Sequence, residues 1–125
     1  MSFDEVVPTP IGPYAPLLRA GDWLVCSGQL GLQGGEIVPG GVAEELRCAI
    51  TNLEAILAPE GATLRDVVKT TVFLIDMTDF DVMNKTYVSA FAGHRPTRSA
   101  VAVSGLPRGA QVEIEAWAYL PAEDG

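Results

Sequence analysis

The clearest periodic pattern of the chain lies between residues 42 and 57. Seven apolar residues recur there at steps of three or four, which places them on one stripe of a helix: Val42, Leu46, Ala49, Ile50, Leu53, Ile56 and Leu57. The charged residues of this segment fall largely on its other sides: Glu44, Glu45, Arg47 and Glu54. Pro59 and Gly61 then act as stop signals. The pattern predicts a helix that lies on a sheet, where each larger side chain contributes about 1.5–3 kcal/mol by burial.

Strands are predicted where short runs are apolar, β-branched or alternating. Four runs have this character: Trp23–Ser27, residues 67–75, residues 99–103 and Gln111–Tyr119. The last run alternates, so that one face is apolar (Val112, Ile114, Ala116, Ala118) and the other carries Gln111, Glu113, Glu115, Trp117 and Tyr119. The glycine-rich residues 31–41 predict a hairpin with a short strand at 36–38. Residues 1–13 predict an extended arm or turn because they contain Pro8, Pro10, Gly12 and Pro13.

A second helix is predicted from Thr78 to about Phe91. Thr78 and Asp81 have the spacing of a capping box, and Phe80, Met83, Tyr87 and Phe91 form the apolar stripe. Asn84 shares that face, although an unpaired buried amide costs about 1–3 kcal/mol. We therefore interpret Asn84 either as a ligand contact or as an edge residue bonded to a loop backbone.

The order of elements, β-β-(β)-α-β-α-β-β, predicts a single α+β domain over residues 1–125. Its architecture is a two-layer sandwich in which two helices cover one face of one mixed β-sheet. Residues 67–75 carry apolar side chains on both faces, with Val68, Val72 and Leu74 on one and Val67, Phe73 and Ile75 on the other. Because two helices cover only one face, we expect the other face to meet a second copy of the chain.

Composition excludes several classes of partner. The chain has 8 Lys+Arg against 16 Asp+Glu, a net charge of -8, and no basic run, which disfavours nucleic acid and anionic membranes. The chain contains no run of 18 apolar residues, so no membrane span is predicted. The first residues lack the pattern of a signal peptide, and we therefore expect a cytoplasmic protein. Cys26 is predicted to be a core residue and His94 a loop residue. Without further His residues or a CxxC pair, no metal site is predicted.

Four polar residues are candidates for chemistry on position alone. Arg98 precedes a predicted strand, where a guanidinium can grip a carboxylate, although a salt bridge is an equally simple interpretation. Glu113 and Glu115 lie on one face of a strand, which suits acid–base work or merely a solvated face. Tyr14 follows a rigid turn that can hold its hydroxyl over a neighbour.

A series of motifs across residues 11–119 resembles one known family. The motifs occur in the family's order: Ile11-Gly12-Pro13-Tyr14, Cys26-Ser27-Gly28-Gln29, residues 66–74, Asn84-x-x-Tyr87, Pro96-Thr97-Arg98-Ser99, Leu106-Pro107 and Val112-Glu113-Ile114-Glu115-Ala116. This pattern is similar to that of the RidA/YjgF family. The resemblance implies a chorismate mutase-like fold and a homotrimer with a central β-barrel and three clefts between subunits.

The same resemblance implies an activity without a cofactor or metal. It implies a deaminase that hydrolyses small 2-imino or enamine acids to 2-keto acids and ammonia. By matching position, Arg98 would bind the substrate carboxylate and Glu113 would hold the attacking water. The pocket would be lined by Tyr14, Ser27, the backbone at Gly28 and Ala100, and Asn84.

Two departures from the family pattern leave the substrate open. Ala100 stands where the family's deaminases often have Cys, and the link at residues 92–97 is short. One alternative is therefore a hydrolase of a pathway-specific enamine, such as an aminoacrylate, or of a related amide. The other is a non-catalytic trimer that binds small carboxylic acids or acts as a chaperone.

Overall fold

The architecture is an α+β sandwich of one five-stranded sheet and two helices. The structure, a computed structural model, describes residues 9–122, so the predicted arm lies outside it as far as residue 8. The strands in chain order are β1 (Leu17–Ala20), β2 (Trp23–Leu30), β3 (Leu32–Gln33), β4 (Glu36–Ile37), β5 (Val67–Leu74), β6 (Thr97–Ala102) and β7 (Val112–Tyr119). The helices are α1 (Gly41–Leu57) and α2 (Phe80–Ala90). The predicted fold class is confirmed.

The main sheet has the order β1-β2-β7-β5-β6. Only β5 and β6 run parallel, and they are joined through α2, as a parallel connection requires. The short strands β3 and β4 form a separate hairpin, as predicted, over Gly34 and Gly35. Both glycines have positive φ, 62° and 83°, the conformation that a tight two-residue hairpin turn demands.

Helix α1 covers the sheet with the predicted stripe. All seven stripe residues are 5% exposed or less, and they form one core with the inward side chains of β2, β5 and β7. Glu45 is the exception to the predicted pattern, since its side chain is buried at 2% exposure. Its Oε1 accepts a hydrogen bond of 2.8 Å from the backbone N–H of Gln111, and this bond offsets the cost of burial.

A bulge corrects the predicted faces of β5. Strict alternation would place Val67 away from Val72 and Leu74, but Val67 is buried with them and Val68 is exposed. The register between β5 and β7 shifts between Val67 and Lys69, so one extra residue reverses the alternation. From Lys69 onward, Thr70, Val72 and Leu74 face the helices.

The start of α2 also differs from the prediction. Thr78 and Asp81 do not form a capping box there. Instead the Asp76 carboxylate accepts hydrogen bonds from the backbone N–H and hydroxyl of Thr78, 2.9 and 2.8 Å long. A 3-10 turn, Met77–Asp79, follows before α2 begins at Phe80. A true capping box occurs instead at Thr63 and Asp66, ahead of β5.

Strand β6 begins two residues earlier than predicted, at Thr97. Arg98 therefore belongs to the strand and does not precede it. Because Arg98 lies opposite Thr70 in the parallel register, its side chain leaves the sheet on the helix-covered face.

The second face of the sheet has no layer over it within residues 9–122. Trp23, Trp117 and Tyr119 lie there in edge-to-face contact and remain 37–44% exposed. The alternation predicted for β7 is confirmed, since Val112, Ile114, Ala116 and Ala118 are fully buried on the other side. An exposed aromatic face of this kind suits a protein interface. No helix within the described residues is long and apolar enough to cross a membrane.

Candidate active site

A cavity of about 920 Å³ lies on the open face of the sheet, which we call the Glu113 pocket. It is bounded by the segment before β1, by β2 and β7, and by the β3–β4 hairpin with Pro107. Its lining includes four predicted site residues, Tyr14, Ser27, Gly28 and Glu113, and also Glu115, which shares a face of β7 with Glu113. The prediction did not include Leu32 of β3 and Asn52 of α1, which also line the pocket. These two residues lie on the hairpin side, which short motifs do not bring close to β7.

Gly28 allows the Glu113 carboxyl group to lie against the backbone of β2. The pairing of β2 with β7 is interrupted between Cys26 and Gln29, and Gly28 lies in this bulge. A Cβ on Gly28 would lie 2.8 Å from Cδ of Glu113 and 3.0 and 3.1 Å from its oxygens. Any other residue would push the carboxyl group away. The glycine is therefore required for the position of Glu113.

Hydrogen bonds from Ser27 hold the residues before β1 over this pocket. Its hydroxyl donates to the carbonyl oxygen of Ala15 at 2.6 Å, and its backbone N–H donates to that of Pro16 at 2.9 Å. Tyr14 is oriented nearby, with its hydroxyl accepting a long 3.4 Å hydrogen bond from the N–H of Ile11. Ser27 thus lines the pocket, but its proton is committed to the backbone.

The Glu113 carboxyl group is partly buried and forms no ion pair in the part of the chain that the structure describes. Burial raises its pKa, and the carboxylate of Glu115 raises it further. Within residues 9–122 the only ion pair joins Arg19 and Glu60, and neither residue lines this pocket. A carboxylate with a raised pKa is a better proton acceptor, which suits a general base.

Arg98 lies at a second place, which we call the Arg98 cluster: Arg98, Phe80, Met83 and Tyr87. Its guanidinium carbon is 4.9 Å from the ring centroid of Tyr87 and 5.7 Å from that of Phe80. One terminal nitrogen, Nη1, donates to Sδ of Met83 at 3.5 Å. Sequence reasoning assigned these three neighbours to the core, although Tyr87 belongs to the Asn84-x-x-Tyr87 motif. Phe80, Met83 and Tyr87 contact the guanidinium group and leave most of its N–H groups available to donate hydrogen bonds to an anion.

Two polar groups, one in this cluster and one next to it, bear on its chemistry. Tyr87 is fixed by a 2.7 Å hydrogen bond between its hydroxyl and that of Thr70, and burial raises its pKa. Asn84 lies between Met83 and Tyr87 in α2, and its buried Oδ1 has no hydrogen-bond partner among residues 9–122. An unsatisfied buried acceptor is rare in folded proteins, and a bound molecule is one way to satisfy it. Ala100 follows Arg98 on the same face and packs against the core.

Arg98 and Glu113 lie on opposite faces of the sheet within one chain. Arg98 is level with Thr70 on the helix-covered face, whereas Glu113 is level with Phe73 on the open face. One small molecule cannot contact both side chains of the same chain. Their joint action stays a prediction, and it requires that the two residues come from different copies.

The remaining reactive side chains are used structurally. Cys26 is a core residue, as predicted, and burial raises its pKa to about 12. Cys48 donates weakly to the carbonyl oxygen of Leu32 at 3.5 Å. A ring nitrogen of His94, Nε2, is 2.7 Å from the carbonyl oxygen of Val67. No group of three His, Cys, Asp or Glu side chains within the described chain could hold a metal ion.

Comparison with known proteins agrees with the fold and with the motifs. A family model described as endoribonuclease L-PSP matches residues 5–120. A RutC family protein of Pyrococcus horikoshii is 44% identical over 119 residues, 94% of each chain. A mouse protein named 2-iminobutanoate/2-iminopropanoate deaminase is 47% identical over 111 residues, 87% of this chain and 82% of that protein.

The same relationship holds at the level of structure. A crystal structure of TdcF from Escherichia coli with bound serine matches with a TM-score of 0.85 and 38% identity, covering 92% of this chain and 94% of that one. The family match spans most of the sequence, and the relatives share both its length and its architecture. This chain therefore belongs to the endoribonuclease L-PSP family, which is the RidA/YjgF family that its motifs resemble.

Proposed function

We propose that this protein is a deaminase that hydrolyses small 2-imino or enamine acids to 2-keto acids and ammonia. Arg98 binds the substrate carboxylate and Glu113 positions the attacking water. Tyr14, Ser27, Gly28, Asn84 and Ala100 line the site. The mouse relative carries the name of this activity, and the TdcF crystal structure contains serine, which also bears a carboxylate beside a C–N bond.

The observation that carries this proposal is the unpaired state of Arg98. Its guanidinium is half-buried against two aromatic rings, and no carboxylate within residues 9–122 forms an ion pair with it. A partly desolvated cation without a counter-ion is costly, and a small carboxylate restores the balance with two parallel hydrogen bonds. A nucleic acid would require several such cations, whereas this chain is strongly acidic.

The reaction needs only a positioned water and a proton acceptor. The C2 carbon of a protonated imine is already electrophilic, so water attacks it while Glu113 takes one proton from that water. Glu113 then returns this proton to the nitrogen, and as the C–N bond breaks the hydroxyl group at C2 gives its proton to the same carboxylate. The 2-keto acid and ammonia leave, and the proton on Glu113 passes to solvent. Proton transfer of this kind typically contributes 10²–10⁴-fold, and fixed geometry adds to it.

The complete site lies between two copies in this proposal. Because Arg98 and Glu113 leave opposite faces of one sheet, the water-holding carboxylate comes from one copy and the anion-binding guanidinium from its neighbour. The exposed aromatic face and the unpaired edge of β6 provide surfaces for that contact. We propose a homotrimer, which the resemblance to the RidA/YjgF family implies and which a head-to-tail contact forms when its rotation closes a ring of three.

The activity is tested by generating 2-iminobutanoate or 2-iminopropanoate in the presence of semicarbazide, which traps the imine. The wild-type protein should lower the yield of semicarbazone and release ammonia, whereas Arg98→Ala should not. An unchanged yield with wild-type protein, together with tight binding of a 2-keto acid, would support a carboxylate-binding protein instead. Turnover only of other enamines or amides would favour the pathway-specific hydrolase. Cleavage of added RNA would contradict the expectation that nucleic acid is not a partner.

The sharing of the site is tested by mixing two inactive variants. Arg98→Ala and Glu113→Gln trimers are unfolded together in equal amounts and refolded. Random assembly should restore about one quarter of the sites, because each site needs an intact Arg98 from one copy and an intact Glu113 from the next. Refolding Arg98→Ala with the Arg98→Ala/Glu113→Gln double variant is the control and should restore none. The same absence in the first mixture would disprove a shared site.

A further inference from the structure

Glu115 lies in the Glu113 pocket without a role in the proposed reaction. It follows Glu113 by two positions in β7, so both side chains leave the sheet on the same face, with their Cα atoms about 7 Å apart. Both carboxylates are half-buried, and both line the same cavity. Two like charges in such a place disfavour each other's ionisation.

No cation from the surrounding elements separates the two carboxylates. On β5, Lys69 donates through Nζ to the hydroxyl of Ser99 at 2.9 Å, and this bond directs it toward β6 and away from β7. The turn before β7 contributes Arg108, whose Nη1 donates to the carbonyl oxygen of Gly35 at 3.2 Å. Neither cation lies within 4 Å of a carboxylate oxygen in residues 9–122.

The other elements around the pair contribute little charge. Strand β2 presents Ser27 and Gly28 to it, and the segment before β1 contributes the neutral hydroxyl of Tyr14. In the hairpin, Glu36 is exposed and does not line the cavity. Among the described residues, the charge that acts on Glu113 is therefore that of Glu115. The direction of the Glu113 pKa agrees, since Glu115 is its second cause after burial.

We propose that Glu115 is a positioning residue that acts through Glu113. Its negative charge makes Glu113 the stronger proton acceptor and holds the abstracted proton there until the leaving nitrogen takes it. Glu115 itself neither contacts the reacting carbon nor exchanges a proton with substrate. This inference rests on the proposed function, because it assigns Glu115 a part in the same proton transfer.

The test is a direct titration of the Glu113 side chain. Carbon-13 NMR of the intact protein, labelled at glutamate carboxyl groups, follows Glu113 in the wild type and in Glu115→Gln, with Glu113→Gln providing the assignment. We expect the Glu113 midpoint to move to lower pH in Glu115→Gln. The acid limb of the kcat/KM profile should move in the same direction, and kcat/KM at neutral pH should fall by about two- to tenfold.

Two further variants separate this role from a structural one. Glu115→Asp keeps the charge and should restore both the midpoint and the acid limb. Glu54→Gln removes one negative charge from the exposed side of α1 and should change neither. A Glu113 midpoint that stays in place in Glu115→Gln, while Glu113→Gln is inactive, would overturn this inference alone. Full activity of Glu113→Gln would overturn the proposed function and the role of Glu115 with it.

Discussion

The Glu113 pocket and the Arg98 cluster are built in different ways. The pocket is made largely by backbone: a bulge in β2, a glycine against the carboxyl group and a segment held by Ser27. The Arg98 cluster is made by side chains, with two aromatic rings and a thioether against one guanidinium. One place therefore provides a cavity with a proton acceptor, and the other provides a fixed cation.

Within residues 9–122, the carboxylates of the pocket form no ion pair with a cation, and the guanidinium of the cluster forms none with an anion. In the proposed reaction, a substrate that carries both a carboxylate and an electrophilic carbon needs one group from each place. This difference suggests a reason for the chain to assemble. The sheet separates Arg98 from Glu113 within one copy, but Arg98 of one copy can lie beside Glu113 of another.

Glu113→Gln should have the largest effect on the reaction. The amide keeps the shape of the side chain but cannot take a proton from water, so kcat should fall by about 10²–10⁴-fold. Binding of a 2-keto acid should change little, because in the proposed site Arg98 binds the carboxylate. Steady-state kinetics and calorimetry measure the two effects. An equal loss of keto acid binding would mean that Glu113 does not act on water alone.

The same substitution should stabilise the fold at neutral pH. Because the pKa of Glu113 is raised in the folded state, folding favours its protonated form. The contribution of the Glu113 carboxyl group to the free energy of unfolding is fully present at low pH, and it is lost as the pH rises through the raised pKa. Glu113→Gln should therefore have the higher Tm at neutral pH, and the difference should vanish in acid. A Tm difference that grows in acid would contradict the assigned direction.

Arg98→Ala should have the next largest effect. Losing one partner of a charge pair costs about 2–5 kcal/mol, which corresponds to about 30- to 5,000-fold in kcat/KM. The affinity for a 2-keto acid should fall together with kcat/KM. Arg98→Lys is the matched control and should recover only part of the loss, because an ammonium cannot form two parallel hydrogen bonds. Full recovery by lysine would argue against a bidentate carboxylate.

Gly28→Ala should give an intermediate loss. The added methyl group would lie 2.8 Å from Cδ of Glu113, and the flexible side chain can move aside, so the fold should remain stable. A displaced base should lower kcat by about 10- to 100-fold. Gly105→Ala is the control, since its new Cβ would have no atom within 4 Å. Unchanged kcat in Gly28→Ala would show that the position of the carboxyl group does not matter.

Tyr87→Phe should have the smallest effect on activity. The ring remains against Arg98, but the bond to the Thr70 hydroxyl is lost, which should lower the free energy of unfolding by about 1–3 kcal/mol. Urea denaturation measures this loss, and kcat/KM should stay within a few-fold of wild type. Thr70→Val in the same background should recover part of the stability. A loss of activity as large as that of Arg98→Ala would assign the hydroxyl a role in catalysis.

The regular elements could be predicted because their periodicity follows from local geometry. The stripe of α1 and the alternation of β7 each repeat with the period of one element, and the structure confirms both. The irregular positions could not be predicted in this way. The bulges at Val67–Lys69 and Cys26–Gln29 depend on which strands pair with each other. At the start of α2, the hydrogen bonds to Asp76 replace the capping box that was predicted for Thr78 and Asp81.

The motifs predicted residues for the candidate site but not their arrangement, and the roles of these residues stay predictions. The motifs identify Arg98 and Glu113. Whether both can contact one substrate depends on the faces of the sheet from which their side chains emerge. A difference of two residues in the start of β6, together with the parallel register, assigns Arg98 to the helix-covered face. The sequence left Glu115 open between acid–base work and a solvated face. Its burial and the absence of a paired cation within residues 9–122 are properties of the packed pocket.

The amino-acid sequence alone determined the class of fold, the acidic charge and the chemical groups available, since these depend on composition and on repeats within single elements. The tertiary structure decided which groups share a space. It separated Arg98 from Glu113, joined Glu113 to Glu115 and Gly28, and placed aromatic rings under the guanidinium. The physical reason is that a sheet has two faces, and the face on which a side chain emerges depends on strand starts, bulges and pairing partners that lie far apart along the chain.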